Sequence, residues 1–282
     1  MKIVGVIGAG QMGSGIAQTA AQFGYQVLLT DVSQEIADKG KAGIGKALDR
    51  LVSRDKMDAA DAKTILQRIT PIGEYGPMAE AAIIIEAATE REEIKHKIFE
   101  NAAAVLAADA ILASNTSSIP ITRMAARTPD PSRFIGLHFF NPVPVMGLIE
   151  VIPGLPTSQA TTDKARAFCE SLGKEVVLAG DEPGFVVNRI LVPMLNEAVR
   201  TLEETGCAPE DIDRAMRFGA GWPMGPLALL DLIGADVQLH ASEALWEDLR
   251  REHVAAPVAV RRLVEAGDLG RKSGRGIYRY GD

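Results

Sequence analysis

Short continuous apolar runs recur along the first part of the chain and alternate with longer segments of mixed polarity. Such runs are typical of parallel strands that helices cover on both faces of a sheet. Helices are expected between them, including one of small residues that ends near Phe23 and another from about Glu92 to Leu106. This alternation predicts an α/β fold with a doubly wound, mostly parallel sheet. The predicted strands are Lys2–Ile7, Gln26–Thr30, Ala82–Ala87, Ala110–Ser114, Phe134–Phe139 and Ile149–Ile152.

The pattern changes after Pro183, where helical segments replace the alternation of strands and helices. The first half of Phe185–Leu202 is apolar almost all round, which is typical of a buried helix. Pro193 lacks the amide hydrogen that a helix interior uses, so we expect a kink there. Further helices are predicted over Pro209–Arg217, Pro226–Ile233, Val237–Arg250 and Pro257–Ala266, with a rigid turn at 221–226.

These patterns predict two domains in a chain of 282 residues, which is long enough for two hydrophobic cores. Residues 1–184 are expected to form the α/β domain, with a helical arm at about residues 33–68 that follows the second strand. Residues 185–282 are expected to form an all-helical domain. This second domain carries more apolar sequence than a domain of its size can hide, which favours a homodimer formed through it.

The composition of the chain limits the kinds of partner it can bind and indicates the cellular compartment in which it works. The chain has 30 Lys and Arg against 37 Asp and Glu, a net charge of −7, so no nucleic-acid partner is expected. No apolar run is long enough for a membrane span, and the first predicted strand leaves no room for a leader peptide. Cys169 and Cys207 lack the spacing of a metal or redox site, which favours a reducing cytoplasm. Both thiols are interpreted as buried structural residues rather than catalytic ones.

A glycine-rich turn directly follows the first predicted strand and consists of Gly8, Ala9, Gly10, Gln11, Met12 and Gly13. The first glycine allows a tight turn, the second lets the backbone approach a pyrophosphate, and the third lets the helix pack on the strand. Amide groups at the helix N-terminus would then face the phosphates. Many glycine triplets are only turns, but this one follows a strand and opens a helix. It therefore predicts a Rossmann-type dinucleotide site.

Asp31 ends the second predicted strand, 18 residues after Gly13 (31 − 13), where dinucleotide-binding folds place an acid on the ribose hydroxyls. The alternative is a helix N-cap, a position for which Ser33 also competes. No arginine lies within Val32–Gln34 to hold a 2′-phosphate. The sequence therefore favours NAD over NADP as the cofactor.

A histidine and a carboxylate stand in the apolar stretch Gly136–Glu150, which reads GLHFFNPVPVMGLIE. His138 lies at a predicted strand end, where doubly wound sheets place their ligands, and histidine suits general acid–base work near neutral pH. Glu150 lies inside a buried strand and needs a partner, which His138 on a neighbouring strand could supply. The carboxylate would then hold the imidazole tautomer and stabilise the imidazolium. The alternatives are a core histidine that the backbone satisfies and a carboxylate that pairs with an arginine.

Four ordered motifs give the chain a specific likeness to a known family: the glycine turn, SNTSS at 114–118, the stretch Gly136–Glu150, and PGFVVNR at 183–189. From Lys2 to Tyr280 the sequence resembles the L-3-hydroxyacyl-CoA dehydrogenase family, and within it the short bacterial 3-hydroxybutyryl-CoA dehydrogenases. The resemblance implies an NAD-dependent oxidoreductase that interconverts 3-hydroxybutyryl-CoA and acetoacetyl-CoA. It also implies that His138 is the general acid and base and that Glu150 orients it.

The resemblance assigns roles that sequence context alone does not single out. Ser117 matches the family serine that bonds the substrate oxygen near the nicotinamide; alone, it belongs to a helix-capping loop. Asn188 matches the asparagine that faces His138 across the domain junction and orients the substrate; alone, it is a satisfied polar group of a buried helix. Besides the glycine turn and Asp31, the implied cofactor contacts are Glu90, Lys95, Asn115, Ser117, Asn141 and Lys272. Without the resemblance, Glu90 is a helix-start acid and Lys272 a solvated cation.

Basic residues recur on the predicted helical arm. Lys46, Arg50 and Arg54 are spaced four apart and would share one helix face, and Lys56 follows at a turn. In the family this arm projects over the substrate, and its cations could bind the phosphates and the adenine end of CoA. We expect Arg54, Lys56 and Arg50 to contact CoA. The alternative is a solvated face whose cations pair with Asp49, Asp55 and Asp58.

Two other functions are compatible with the same fold. A dehydrogenase of free 3-hydroxy acids, of the gulonate type, would not need a basic arm. An NAD-binding redox sensor would not need the four residues that carry the proposed chemistry. The separate β-hydroxyacid dehydrogenase family has a lysine four residues before its asparagine, and it is disfavoured because Gly184 stands there, before Asn188.

Overall fold

The computed structural model describes residues 2–281, which separate into two compact units. The first unit ends at Glu182 and the second begins at Pro183. This break lies two residues before the predicted boundary at 184/185 (184 − 182 = 2). The change from alternating strands and helices to helices alone therefore coincides with a change of compact unit.

The first unit is built from alternating strands and helices. Its strands are β1 (Ile3–Ile7), β2 (Gln26–Thr30), β3 (Ile69–Ile72), β4 (Ala81–Glu86), β5 (Ile111–Ser114), β6 (Phe134–Phe139), β7 (Leu148–Pro153) and β8 (Glu175–Leu178). Its helices are α1 (Gln11–Gln22), α2 (Gln34–Val52), α3 (Ala59–Gln67), α4 (Glu92–Val105), α5 (Ile121–Ala125) and α6 (Gln159–Ser171).

Within the described residues the strands form one eight-stranded sheet in the order β3-β2-β1-β4-β5-β6-β7-β8. The first six strands run parallel, β7 runs antiparallel to β6, and β8 runs parallel to β7. The chain moves outward from β1 in one direction and then returns to β4 on its other side. The predicted doubly wound, mostly parallel sheet is confirmed, and its switch point lies between β1 and β4.

Helices cover both faces of the sheet, which explains why the central strands are mostly apolar. Val4 and Val6 of β1 join a core that includes residues of α1, α2, α3 and α6. On the opposite face Phe99 of α4 packs edge-to-face on Phe134 of β6, with ring centroids 4.9 Å apart. The side chains at Phe134 and Ile135 thus alternate between the two layers, as strand geometry requires.

Two strands were missed by the sequence prediction, and both lie at the edges of the sheet. Strand β3 contains Pro71, which removes a ladder donor and is tolerated at an edge. Strand β8 is four residues long and mostly exposed, so it shows no buried apolar run. Helix α6, between β7 and β8, was not predicted either.

The helical arm after β2 is present as α2 and α3. Ser33 caps α2, and its side-chain oxygen accepts a hydrogen bond from the backbone N–H of Ile36 at 3.3 Å. Helix α2 ends at Val52, so the prediction that Arg54 shares a helix face with Lys46 and Arg50 is wrong. Arg54 lies in the turn that leads to α3, because the chain reverses there through Asp55, which has a left-handed φ of 54°.

The second unit is helical throughout its named elements, α7 (Val187–Thr205), α8 (Pro209–Gly219), α9 (Pro226–Ile233), α10 (Ala235–Leu249) and α11 (Val258–Glu265). The predicted helices are confirmed with ends that move by a few residues. Pro193 does lie inside α7. The prediction that the first half of α7 is buried is wrong in part, because Ile190 is 56% and Met194 38% exposed. One apolar side of α7 therefore faces solvent.

Buried polar groups organise the interior of the second unit. Asp231, in α9, accepts from the backbone N–H groups of Ile277 and Tyr278 at 2.9 and 2.8 Å and from the Tyr280 hydroxyl at 3.0 Å. Asp213, in α8, accepts from the Tyr278 hydroxyl at 2.8 Å. These carboxylates hold the C-terminal segment on the helices. Over residues 2–281, no helix combines the length and the apolar character that crossing a membrane would need.

Candidate active site

The glycine turn forms a shallow cradle at the N-terminus of α1. Gly8 has a φ of +105°, and a Cβ there would lie 2.5 Å from the carbonyl oxygen of Ala87. A Cβ at Gly13 would lie 1.8 Å from the carbonyl oxygen of Gly8, so strand and helix meet too closely for any side chain. Around Gly10 nothing lies within 4 Å of a Cβ position. The backbone is thus exposed where a pyrophosphate would approach, and the residues present fit a dinucleotide.

Asp31 lies at the end of β2 beside this cradle. Its carboxylate accepts hydrogen bonds from the backbone N–H groups of Ala9 at 2.6 Å and Val32 at 2.7 Å. Because Ser33 is the N-cap of α2, the alternative interpretation of Asp31 as that cap is wrong. Its proposed contact with the adenine ribose stays a prediction. Dinucleotide-binding folds place an acid at this position on the adenine side, so the nicotinamide half is expected over β4, β5 and β6.

His138 and Glu150 form a buried pair on adjacent strands. The antiparallel register of β6 and β7 places the two residues directly opposite each other. His138 Nδ1 lies 2.7 Å from Glu150 Oε2, and the residues are 6% and 0% exposed. The partner that Glu150 was predicted to need is therefore His138. A pair of this length inside the sheet fixes the ring orientation and engages Nδ1.

The loop between these two strands is tied down at both ends. The Asn141 side-chain oxygen accepts from Gln11 Nε2 at 3.0 Å, which links the loop to the first turn of α1. Lys174 Nζ donates to the carbonyl oxygens of Val143 at 2.9 Å and Met146 at 2.7 Å. Partial burial lowers the pKa of Lys174. Sequence reasoning missed Lys174, since no pattern distinguishes it from a solvated lysine.

The SNTSS turn follows β5 and is held by Glu90. Glu90 Oε1 accepts from the Ser117 backbone N–H at 2.9 Å and hydroxyl at 3.3 Å, and Oε2 accepts from the Thr116 hydroxyl at 2.8 Å. The Asn115 side-chain oxygen accepts from the backbone N–H of Phe139 at 2.9 Å, next to His138. The structure therefore brings Glu90, Asn115, Ser117 and His138 together at the carboxyl ends of β4, β5 and β6.

Lys95 lies beneath this turn in a buried cluster. Its Nζ is 2.6 Å from Glu86 Oε2 and 3.3 Å from the Ser114 hydroxyl. Glu86 is fully buried at the end of β4, and sequence reasoning did not single it out. The signal was available, because Glu86 interrupts an apolar strand in the same way as Glu150 does. The cofactor contact expected of Lys95 stays a prediction, for a side chain that is only 2% exposed.

Two predicted site residues belong to the second unit. Asn188 lies half-buried in the first turn of α7. Lys272 Nζ pairs with Asp236 Oδ1 at 2.5 Å, so it is not simply a solvated cation. Partial burial alone would raise the pKa of Asp236, but the Lys272 ammonium lowers it. The roles of Asn188 and Lys272 stay predictions.

The basic residues of the arm are exposed, and none of Lys46, Arg50, Arg54 and Lys56 forms an ion pair with a carboxylate anywhere in residues 2–281. The pairing with Asp49, Asp55 and Asp58 that the alternative proposed is therefore absent from these residues. The four cations are exposed there without a close carboxylate partner, which leaves them accessible to an anionic ligand.

The two cysteines differ in environment. Cys169 is buried in α6, and burial raises the pKa of its thiol well above the usual range. Cys207 is exposed in the segment between α7 and α8. The predicted buried, structural role therefore holds for Cys169 and is wrong for Cys207. The cytoplasmic location stays a prediction.

Comparison with known families matches both units in order. Residues 3–182 match the NAD-binding domain of 3-hydroxyacyl-CoA dehydrogenase, and residues 184–280 match its C-terminal domain. The chain therefore belongs to the 3-hydroxyacyl-CoA dehydrogenase family and is an NAD-dependent oxidoreductase. The predicted cofactor is confirmed at the level of the family.

Individual relatives resemble the chain over nearly its whole length. A 3-hydroxybutyryl-CoA dehydrogenase of Bradyrhizobium diazoefficiens is 49% identical, over 99% of this chain and 96% of the relative. The 3-hydroxyadipyl-CoA dehydrogenase of Escherichia coli is 44% identical, over 99% of this chain and 59% of the relative. The crystal structure of (S)-3-hydroxybutyryl-CoA dehydrogenase PaaH1 from Ralstonia eutropha superposes with a TM-score of 0.94 at 45% identity, covering 100% of both chains.

Proposed function

We propose that the protein is an NAD-dependent (S)-3-hydroxyacyl-CoA dehydrogenase that interconverts 3-hydroxybutyryl-CoA and acetoacetyl-CoA. The observation that carries the proposal is the buried His138–Glu150 pair, with 2.7 Å between Nδ1 and Oε2, in the sheet that also carries the glycine cradle. Relatives named 3-hydroxybutyryl-CoA dehydrogenase support the substrate. A redox sensor would have no use for a proton-handling pair at the nicotinamide side of the site.

The chemistry divides between the cofactor and the dyad. NAD supplies the hydride acceptor in oxidation and, as NADH, the hydride donor in reduction. Because Glu150 engages His138 Nδ1, proton exchange with the substrate oxygen falls to Nε2. In oxidation Nε2 takes the hydroxyl proton, and in reduction the imidazolium returns a proton to the carbonyl oxygen. The Glu150 carboxylate stabilises the imidazolium without taking the proton itself.

Ser117 and Asn188 are the proposed substrate-orienting residues. The Ser117 hydroxyl is the proposed donor to the substrate oxygen, whose own proton exchanges with His138 Nε2. Its bond to Glu90 Oε1 is long, at 3.3 Å, while the Ser117 backbone N–H holds the same oxygen at 2.9 Å. Asn188 offers both a donor and an acceptor on one side chain. Each contact holds the reacting oxygen in place rather than moving a proton, and each is therefore expected to matter less than His138.

The proposed cofactor contacts fall into two groups, one near β1 and β2 for the adenine half and one near β4, β5 and β6 for the nicotinamide half. Amides of the Gly8–Gly13 turn, with Gln11 and Met12 at the start of α1, approach the pyrophosphate, and Asp31 accepts from the adenine ribose hydroxyls. On the nicotinamide side, Asn115 and Asn141 are supported by their hydrogen bonds to Phe139 and Gln11, which fix both side chains. The further proposed contacts are Glu90, Lys95, Ser117 and Lys272.

The arm is the proposed binding surface for CoA. Arg50, Arg54 and Lys56 are exposed and form no ion pair within residues 2–281, so their charge is available for phosphate groups. A dehydrogenase of free 3-hydroxy acids would have no need of such a surface. The arm therefore favours an acyl-CoA substrate.

We also propose a homodimer that forms through the second unit. Apolar side chains on α7, α9 and α10 remain exposed in the single chain, namely Ile190 (56%), Met194 (38%), Leu232 (49%) and Val237 (49%). A second copy would cover the same surface on both chains at once, as two-fold symmetry requires.

Steady-state oxidation of NADH tests the proposed function. The purified protein is expected to consume NADH with acetoacetyl-CoA and to show at most a trace of activity with free acetoacetate at the same concentration. Faster turnover of the free acid would replace the proposal with the free-acid alternative. Absence of turnover with either substrate, in a protein that binds NADH, would favour a sensor.

A further inference from the structure

A buried charged cluster lies beneath the SNTSS turn, and Lys95 is the one member of it with a proposed role, as a cofactor contact. It consists of Glu86 at the end of β4, Ser114 at the end of β5 and Lys95 in α4. The side chains of Glu86 and Lys95 are 0% and 2% exposed. Burying an ion pair is costly, and replacing such a pair with apolar residues is often neutral or stabilising. Stability alone is therefore a weak reason for this pair.

The three side chains form a closed hydrogen-bonded triangle. Lys95 Nζ donates to Glu86 Oε2 at 2.6 Å and to the Ser114 hydroxyl at 3.3 Å, and that hydroxyl donates to Glu86 Oε2 at 2.7 Å. Glu86 Oε1 accepts from the backbone N–H of Ala88 at 2.9 Å. Every polar group of the triangle is thus engaged, and each bond polarises the next.

The triangle connects to the functional site through Glu90. Lys95 Nζ is 3.7 Å from Glu90 Oε2, farther than its distance to Glu86. Glu90 uses both oxygens to hold the turn, accepting from Ser117 and Thr116. The Lys95 ammonium therefore lies between two carboxylates. Its attraction to Glu86, the nearer of the two, limits how closely it can approach Glu90.

Glu86 also touches the cofactor cradle through the backbone. Ala88, whose N–H bonds the Glu86 carboxylate, follows Ala87, and a Cβ at Gly8 would meet both residues at 2.5–2.8 Å. The backbone N–H of Asn115 donates to the Glu86 carbonyl oxygen at 2.8 Å. Glu86 thus bonds Ala88, which lies against the glycine turn, and Asn115, which lies in the SNTSS turn.

We propose that Glu86 is a positioning residue that holds Lys95 away from Glu90 and so leaves the Glu90 carboxylate free to present the Ser117 hydroxyl and amide in a fixed geometry. The inference rests on the proposed function only for the role of Ser117. Without the Glu86 charge, Lys95 moves toward Glu90 and competes with Ser117 and Thr116 for its oxygens. The SNTSS turn then loses its anchor, although neither Glu86 nor Lys95 need touch the substrate.

Three variants test this inference: Glu86→Gln, Lys95→Met, and the double variant with both changes. In Glu86→Gln, kcat/KM for acetoacetyl-CoA should fall about tenfold or more, within the range of couplings seen in buried networks. Lys95 is also a proposed cofactor contact, so all variants are compared at saturating NADH. Under that condition the double variant, which removes the competing cation, should regain at least about threefold of that loss despite two core changes. If the two changes only damaged the structure independently, their losses of kcat/KM would add. The double variant would then have a lower kcat/KM than either single variant.

Amide hydrogen exchange of the cofactor-free protein supplies a readout that needs neither substrate nor NADH. The segment containing residues 114–121 should exchange faster in Glu86→Gln and return toward the wild-type rate in the double variant. Asp231→Asn is the matched control, since it alters a fully bonded buried carboxylate in the second unit. It should lower Tm without changing exchange in 114–121.

The outcomes separate the two proposals. If the double variant shows no recovery in exchange or in kcat/KM, or if Glu86→Gln behaves like Asp231→Asn, the positioning role is wrong. If wild-type protein fails to turn over acetoacetyl-CoA, the proposed function fails, while the exchange pattern still decides the role of Glu86.

Discussion

Replacing Glu150 with glutamine tests which of two roles Glu150 has. The carboxylate either stabilises the positive charge on the His138 imidazolium or only orients the imidazole ring. Glutamine keeps the size of the side chain and can keep an acceptor toward His138 Nδ1, but it removes the negative charge. Glu150 is 0% exposed, and its Oε2 lies 2.7 Å from that nitrogen. At such burial, solvent has little access to replace the lost charge. An amide that turns its NH₂ group toward Nδ1 would also favour the wrong tautomer.

The expected size of the effect follows from the type of bond that is lost. Hydrogen bonds to charged groups contribute about 1.5–3 kcal/mol, and about 1.4 kcal/mol corresponds to a tenfold change in rate. We therefore expect Glu150→Gln to lower kcat by roughly 10- to 150-fold. His138→Ala removes the proton acceptor itself and should cost about 10²–10⁴-fold in kcat. Ser117→Ala deletes one hydrogen bond to the substrate oxygen and should be milder than His138→Ala.

The assay compares kcat for the three variants at saturating acetoacetyl-CoA and NADH. NADH affinity, measured separately by fluorescence, should survive the His138 and Glu150 changes, since neither residue is assigned to the adenine half of the cofactor. Thermal unfolding checks that each variant is folded. A folded His138→Ala protein with near-wild-type kcat would overturn the mechanism. A Glu150→Gln protein with unchanged kcat would leave Glu150 as a structural partner only.

Four further outcomes are expected. NADH should be preferred over NADPH because Asp31 repels a 2′-phosphate, and an equal or higher kcat/KM with NADPH would refute the cofactor assignment. The double change Arg54→Ala and Lys56→Ala should raise KM for acetoacetyl-CoA by an amount equivalent to about 1–2 kcal/mol and leave KM for NADH nearly unchanged; an unchanged acyl-CoA KM would make the arm ordinary surface. Light scattering at low micromolar concentration should give a dimer, and a particle of 30.1 kDa would contradict it. Alkylation of the native protein at pH 8 should modify Cys207 and spare Cys169, because burial raises the pKa of the Cys169 thiol; rapid loss of both thiols would show that α6 opens.

The strands that helices cover on both faces of the sheet could be predicted from the sequence. Apart from Glu86 in β4 and His138 in β6, these two strands and β1 lack polar side chains because helices pack on each side, and that pattern is visible in the sequence. The edge strands are different, since β3 contains Pro71 and β8 is largely exposed. An edge strand exists because a neighbour offers it hydrogen bonds, and the neighbour of β8 is β7, whose last residue lies more than twenty positions earlier in the chain.

The arm shows the limit of helical spacing as evidence. Lys46, Arg50 and Arg54 have the spacing of one helix face, but α2 ends at Val52. Helix ends depend on local turn geometry, and Asp55 adopts a left-handed conformation that spacing alone does not reveal. The arm itself is present, and its cations are exposed without close carboxylate partners in the described chain, but Arg54 lies outside the helix, and the contact with CoA stays a prediction.

Lys95 illustrates a residue whose environment the sequence conceals. It stands in EEIKHKIFE, a charged helical segment in which each lysine suggests solvent. Its burial arises because α4 packs on the sheet at the point where Glu86 and Ser114 end their strands. Neither partner lies within one helical turn, so local periodicity carries no information about the contact. Glu86 was the available clue, as a carboxylate inside an apolar run.

Buried carboxylates thus give a partial rule for reading this chain. An ionised side chain within an apolar segment must find donors, because an unpaired buried charge would be neutralised or would destabilise the fold. Sequence therefore indicates that Glu86, Glu150 and Asp231 each have partners. Topology decides which partners those are: strand register brings His138 to Glu150, helix packing brings Lys95 to Glu86, and the C-terminal turn brings backbone amides to Asp231. Of these partners, only histidine is a residue type that ordinarily exchanges protons near neutral pH, and for that reason we place the proposed reaction centre at Glu150 and propose only a supporting role for the other two carboxylates.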